Sequence, residues 1–187
     1  MKTSRRSLFG AFVSCAVGMP VNARTDPLKR SMRIHRVGEL GLEIWTEAKP
    51  EWDTRLEQID AQWRFLAETP GLVSPPVGMT WVSKPGSLFA EGEIEAAARG
   101  AIHRVASSHG ISDLSGIEIS AAQYGDLKGF QAAFASPLKA TPVDVLMFLG
   151  HAAGRPAVVM QACTLMGKLR HIDGYIRRSW TNVRYIK

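Results

Sequence analysis

Apolar and polar residues alternate with period two in Met32-Arg33-Ile34-His35-Arg36-Val37 and again in Leu42-Glu43-Ile44-Trp45-Thr46-Glu47. With Gly38 to Gly41 between them, the two runs predict a hairpin that buries one face. Lys49-Pro50-Glu51-Trp52 breaks the alternation. Beyond it Leu56, Ile59, Trp63 and Leu66 recur at steps of three and four, on one stripe of a helix. Asp53 or Thr54 can cap that helix, Glu57 lies in capping-box register with Thr54, and Pro70-Gly71 stops it. Leu72 to Gly78, with Pro75-Pro76, reads as a loop or an edge, and Met79 to Ser83 as a short strand.

Phe89 to His109 gives the clearest helical pattern, with Ile94, Ala98, Ala101, Ile102 and Val105 on its apolar stripe and Gly110 at its end. Gly100 within it would be tolerated where another backbone passes close. After Gly110 the period changes. Ile117–Ser120, Gly129–Ala132, Val143–Leu149 and Ala157–Ala162 read as successive strands, with turns at Gly125, Pro137, Pro142 and Gly150 to Pro156. Val143 to Leu149 is almost continuously apolar, as a central strand covered on both faces would be. A last helix, about Leu165 to Trp180, sets Leu165, Leu169, Ile172, Ile176 and Trp180 on one side, and Asn182 to Lys187 reads as an edge strand.

The N-terminus carries a different signal. Ser4-Arg5-Arg6-Ser7-Leu8-Phe9 resembles the motif of twin-arginine export leaders, and the apolar run from Leu8 to Met19 is too short to cross a bilayer. Val21-Asn22-Ala23 offers small residues where a signal peptidase cuts. The expected organisation is a signal over 1–23 cleaved at Ala23, a polar leader over 24–31 and one globular domain over 32–187, located in the periplasm. The alternative is a basic N-terminus on a cytosolic protein. Phe12-Val13-Ser14-Cys15 only loosely resembles a lipobox, because it lacks the usual leucine, so lipidation at Cys15 is not expected.

Cleavage there takes 23 of the 187 residues and leaves 164, enough for one domain with a core. Three bases and no acid go with the leader, so the formal charge falls from +6 to +3. The remaining charge is uneven. Residues 38–71 hold eight acids against three bases, whereas 151–187 hold seven bases against Asp173 alone. Two oppositely charged faces that pair with each other explain such a split as well as an anionic partner does. Cys163 is the single thiol after cleavage, which excludes an intramolecular disulfide.

Chemistry is hard to find in the pattern. None of His35, His103, His109, His151 and His171 lies four residues from another or in zinc spacing with a cysteine, so no metal site or cofactor is expected. No Gly-x-Ser-x-Gly elbow is present, and Cys163 at the end of an apolar run reads as a buried structural thiol. Glu91, Glu93 and Glu95 open the long helix, where acids offset the helix dipole. What remains is the basic C-terminal stretch. Arg170, Arg177, Arg178 and Arg184 are the candidate contacts to a protein or a lipid headgroup, while nucleic acid is not expected for an exported chain.

The C-terminal half runs through Gly129-Phe130, Val143 to Leu149, Gly154-Arg155-Pro156, Val158-Val159-Met160 and an amphipathic helix to Arg178-Ser179-Trp180. In this order it resembles the PsbP/Mog1/DcrB-like group of domains. The resemblance spans roughly residues 32–185 and implies an α+β fold, an antiparallel sheet sandwiched by helices. It also implies accessory or binding roles in place of catalysis, and brings no catalytic residues with it. The expected function is therefore an exported, non-catalytic binding protein that docks a protein partner, such as an envelope or secretion component or a toxin. The alternatives are a small hydrolase or cofactor-bearing enzyme, built for example on His151 and His171 near Asp144 or Asp173, and a peripheral protein of anionic lipid surfaces.

Overall fold

The computed structural model describes residues 32–83, 88–90, 92–136 and 141–187; Arg5, Arg6, Cys15 and Ala23 lie outside them. Strands β1 (Met32–Val37) and β2 (Leu42–Glu47) form the expected hairpin, closed by a 3-10 turn at Gly38–Leu40 with Gly41 left-handed at φ 64°. Leu42 and Ile44 are fully buried, so the alternation does set one face inward.

The helix expected from residue 53 is instead a second hairpin, β3 (Asp53–Ile59) and β4 (Gln62–Glu68). Its turn is Asp60-Ala61, both at positive φ (49° and 64°), as a two-residue type I′ connection requires. The three-and-four spacing of Leu56, Ile59, Trp63 and Leu66 is real but straddles that turn. In β4, Phe65, Leu66 and Ala67 are consecutive buried residues, because the strand lies inside a sheet and is covered on both faces. Tertiary pairing overrides the local helical period here.

Strands β5 (Gly78–Ser83), β6 (Ser120–Tyr124), β7 (Leu127–Ser136), β8 (Val143–His151) and β9 (Val158–Leu165) complete a seven-stranded antiparallel sheet in the order β3-β4-β5-β9-β8-β7-β6. The strand expected at Ile117–Ser120 begins only at Ser120, because pairing with β7 is centred on the turn at Gly125-Asp126. The tail strand β10 (Arg184–Tyr185) joins β2 and makes a separate three-stranded sheet.

Helix α1 (Ile94–Ser108) buries the stripe read from the sequence, against Ala132 on β7 with Met147 and Leu149 on β8. Helix α2 (Leu169–Trp180) starts four residues later than expected and buries Ile172, Ile176 and Trp180 in a larger core with Trp81, Phe148 and Met160. Phe148 lies between Met147 and Leu149 in sequence, and successive strand residues point to opposite faces. The two helices therefore occupy opposite faces of the large sheet. The architecture is mixed α and β, with strands dominating.

Close backbone approach falls elsewhere than at Gly100, where an added Cβ would meet only the Arg104 guanidinium at 3.3 Å. It falls at Gly129 and Gly150, which face each other across β7 and β8. A Cβ on Gly129 would lie 2.0 Å from the Leu149 carbonyl oxygen, and one on Gly150 2.3 Å from the Phe148 ring.

Candidate binding site

Four segments converge at one end of the sheets. The β8–β9 connection turns through Ala152 to Arg155, closed by the Arg155 amide donating to the Ala152 carbonyl at 3.0 Å, with Gly154 at φ 67°. The β6–β7 turn brings Gly125 so near the end of α2 that a Cβ would stand 2.5 Å from the Thr181 carbonyl oxygen. The β1–β2 hairpin contributes Arg36 and Glu43, whose side chains pair at 2.8 Å. The chain then returns along β10, where Arg184 lies opposite Glu43 and the Ile186 amide donates to the Gly41 carbonyl at 2.9 Å.

These segments enclose a cleft of about 630 Å³. Its charged lining is Arg36, Arg155, Arg184 and Lys187 against Glu43 and Asp126. Tyr185 holds the tail strand to the loop: its hydroxyl donates to the Pro156 carbonyl at 2.6 Å, and the Arg155 guanidinium sits over its ring, 5.5 Å from the centroid. Burial pushes the Tyr185 phenol above its ordinary pKa. Arg184 is oriented by two bonds from Nη1 to the Thr181 and Val183 carbonyls, each 2.8 Å. Four exposed cations around one cleft can bind carboxylates or other anions by charge-assisted hydrogen bonds.

The four arginines named from the sequence do not form one surface. Arg178 turns inward, donating from Nε to Oε1 of Glu47 at 2.6 Å and stacking on Tyr175. Arg177 pairs with Asp173 one turn earlier at 2.7 Å. Arg170 is exposed on the first turn of α2. Only Arg184 reaches the cleft. Sequence reading missed Arg36, Arg155 and Lys187 as its companions, since the β2–β10 pairing brings Arg36 from the other end of the chain and contacts of Tyr185 with Arg155 and Pro156 set the β8–β9 connection beside the tail.

One pairing imagined for an enzyme, His151 with Asp144, is not assembled. Asp144 and His151 sit at the two ends of β8, seven residues and roughly 23 Å apart. Asp144 instead accepts from the Leu169 amide at 3.3 Å, at the start of α2, and Asp173 is engaged by Arg177. A general base must come within roughly 3 Å of its proton, which this pair cannot do in concert. Cys163 is buried in β9, with Gln161 donating to its sulfur at 3.3 Å. Glu93 accepts from the Ala90 amide at 3.0 Å and Glu95 pairs with Arg99 at 3.1 Å, both local to the start of α1. Among the described residues no group of three His, Cys, Asp or Glu side chains comes together for a metal ion, and no helix is long and apolar enough to cross a membrane.

No family model matches the chain, and no curated protein matches it. A crystal structure from Bacteroides thetaiotaomicron VPI-5482, at 1.50 Å resolution, is similar in fold, with a TM-score of 0.56 at 10% identity. The match covers 83% of this chain and 48% of that one, so the chain spans about half of that protein's length. Identity this low speaks to the fold alone.

Proposed function

We propose that the chain is an exported, non-catalytic binding protein of the periplasm that docks an acidic segment of a protein partner in the cleft of Arg36, Arg155, Arg184 and Lys187. The observation that carries the reading is the convergence of these cations, drawn from three distant parts of the sequence, on one preformed cleft. Support for export is the Arg5-Arg6 leader with its short apolar run and Ala23. Support for an accessory role in the PsbP/Mog1/DcrB-like manner is the antiparallel sheet with a helix on each face and the closing helix that ends at Ser179-Trp180.

The test is a pull-down from osmotic-shock extract with the tagged full-length chain and with an Arg36→Glu/Arg155→Glu/Arg184→Glu variant. The wild type should retain a stoichiometric partner at low salt and release it near 0.5 M, where charges are screened over about 4 Å. The variant should retain none. Equal recovery by both proteins would overturn the reading, as would an uncleaved chain found among cytosolic proteins.

A further inference from the structure

The two outer strands of the large sheet differ in a way that bears on the docking reading, on which this inference rests. Edge strand β3 carries Asp53, Arg55 and Glu57, and Arg55 is bonded to Glu57 at 2.6 Å and to Glu68 at 3.0 Å. Charges of this kind discourage another strand from adding to an edge. Edge strand β6, Ser120-Ala121-Ala122-Gln123-Tyr124, carries no Lys, Arg, Asp, Glu or Pro. Its two-residue turn makes Tyr124 and Leu127 a hydrogen-bonded pair, and the alternation of the antiparallel ladder then directs the N–H and C=O of Ala121 and Gln123 away from β7.

The same two residues line a groove of about 1080 Å³ beside the edge, with Phe89, Ile94, Phe130 and His151 around it. A residue paired opposite Ala121 or Gln123 projects to the face those residues occupy, and so toward this groove. The groove and the basic cleft are continuous: Asp126, Ala152 and Ala153 line both.

We propose that an extended segment of the partner adds to β6 as an antiparallel strand, with apolar side chains entering the groove opposite Ala121 and Gln123. An acidic run immediately N-terminal to that strand then enters the cleft of Arg155 and Arg184. The antiparallel sense continues that of every strand pair in the sheet, and it fixes the polarity. An antiparallel addition begins at the Gly125 end of β6, which is the end nearest the cations. Main-chain pairing supplies affinity in this mode, and the groove and cations supply specificity. Asp126 at the junction opposes the acidic run, with Lys128 on the strand beside it in the groove.

Fluorescence anisotropy with labelled synthetic peptides and the full chain tests the proposal. The probes are Asp-Glu-Asp-Glu-Gly-Val-Thr-Val-Thr-Val, its reverse-order counterpart, the acidic tetrapeptide alone, and the first peptide N-methylated at alternate valines. The first peptide should bind about tenfold tighter than the tetrapeptide, the reverse-order peptide or the N-methylated one. Ala121→Pro should remove this advantage, leaving tetrapeptide binding unchanged, and Asp126→Asn should tighten both acidic probes. Equal affinity for the first and N-methylated peptides would overturn strand addition while the basic-cleft reading survives. No binding of the tetrapeptide to the wild type would overturn the cleft reading itself.

Discussion

The guanidinium of Arg178 on α2 donates to the carboxylate of Glu47 on β2, 131 residues earlier in the chain. Glu47 is 2% exposed, so this bond joins the acidic first half to the basic last half at a buried point. Beside it the Ser179 hydroxyl donates to the Trp45 carbonyl, which fixes the same helix to the same strand. Truncating Arg178 to Ala strands a buried charge. The expected cost is about 2 kcal/mol, reduced from the fully buried case because Arg178 is itself partly exposed. Adding Glu47→Gln to Arg178→Ala should recover part of the loss. Urea unfolding checks both, and an unchanged midpoint for Arg178→Ala would deny the tether.

Gly129 and Gly150 are fixed by space and not by backbone angle. Ala at Gly129 meets a carbonyl oxygen in the neighbouring strand, which can move only by distorting the ladder. A loss of about 2–3 kcal/mol is expected. Gly116→Ala, where nothing lies within 4 Å, should change stability by no more than about 0.5 kcal/mol. Thermal unfolding of the two variants side by side discriminates: similar melting temperatures would contradict the close approach.

His35 gives the fold a pH dependence of known sign. Its ring bonds to the Thr46 hydroxyl at 2.8 Å and packs on Phe65, and burial, aided by Arg33, lowers its pKa below the ordinary 6.5. Between the two pKa values the unfolded chain binds more protons than the folded one. This contribution is thus complete above about pH 6.5 and is lost as pH falls through 6.5 toward the folded value. Replacing His35 with Gln should flatten the stability profile between pH 7 and 5, measured by urea unfolding at each pH. An unaltered profile would exclude His35 as its source.

Where local pattern and tertiary demand agree, the sequence was readable. The stripe of α1, the alternation of β2 and the apolar run of β8 each reported a face that the fold does bury. In β1, by contrast, the apolar Ile34 stays 49% exposed, and His35 and Val37 lie opposite the buried Ile44 and Leu42. Residues 53–66 failed because their period fits a helix and the Asp60-Ala61 turn lacks the usual Asn-Gly or Asp-Gly signature. Composition located the basic C-terminus but not the cleft. Side-chain direction decides that question: Arg178 faces Glu47 and Arg177 is spent on Asp173, whereas Arg155 in a loop and Arg184 on the tail strand line one cleft through tertiary contacts that sequence spacing does not encode. The tryptophans of the first half divide similarly, with Trp52 and Trp81 in the core and Trp45 and Trp63 partly covered.

Docking at the Arg36, Arg155, Arg184 and Lys187 cleft is tested most directly by an NMR titration of the isotope-labelled chain with the acidic tetrapeptide. Saturable shifts should concentrate at Ala152, Arg155, Arg184 and Tyr185 and vanish in Arg155→Glu/Arg184→Glu. Shifts centred on Arg170 and Arg177 of α2, or shifts that persist in the double variant, would contradict it.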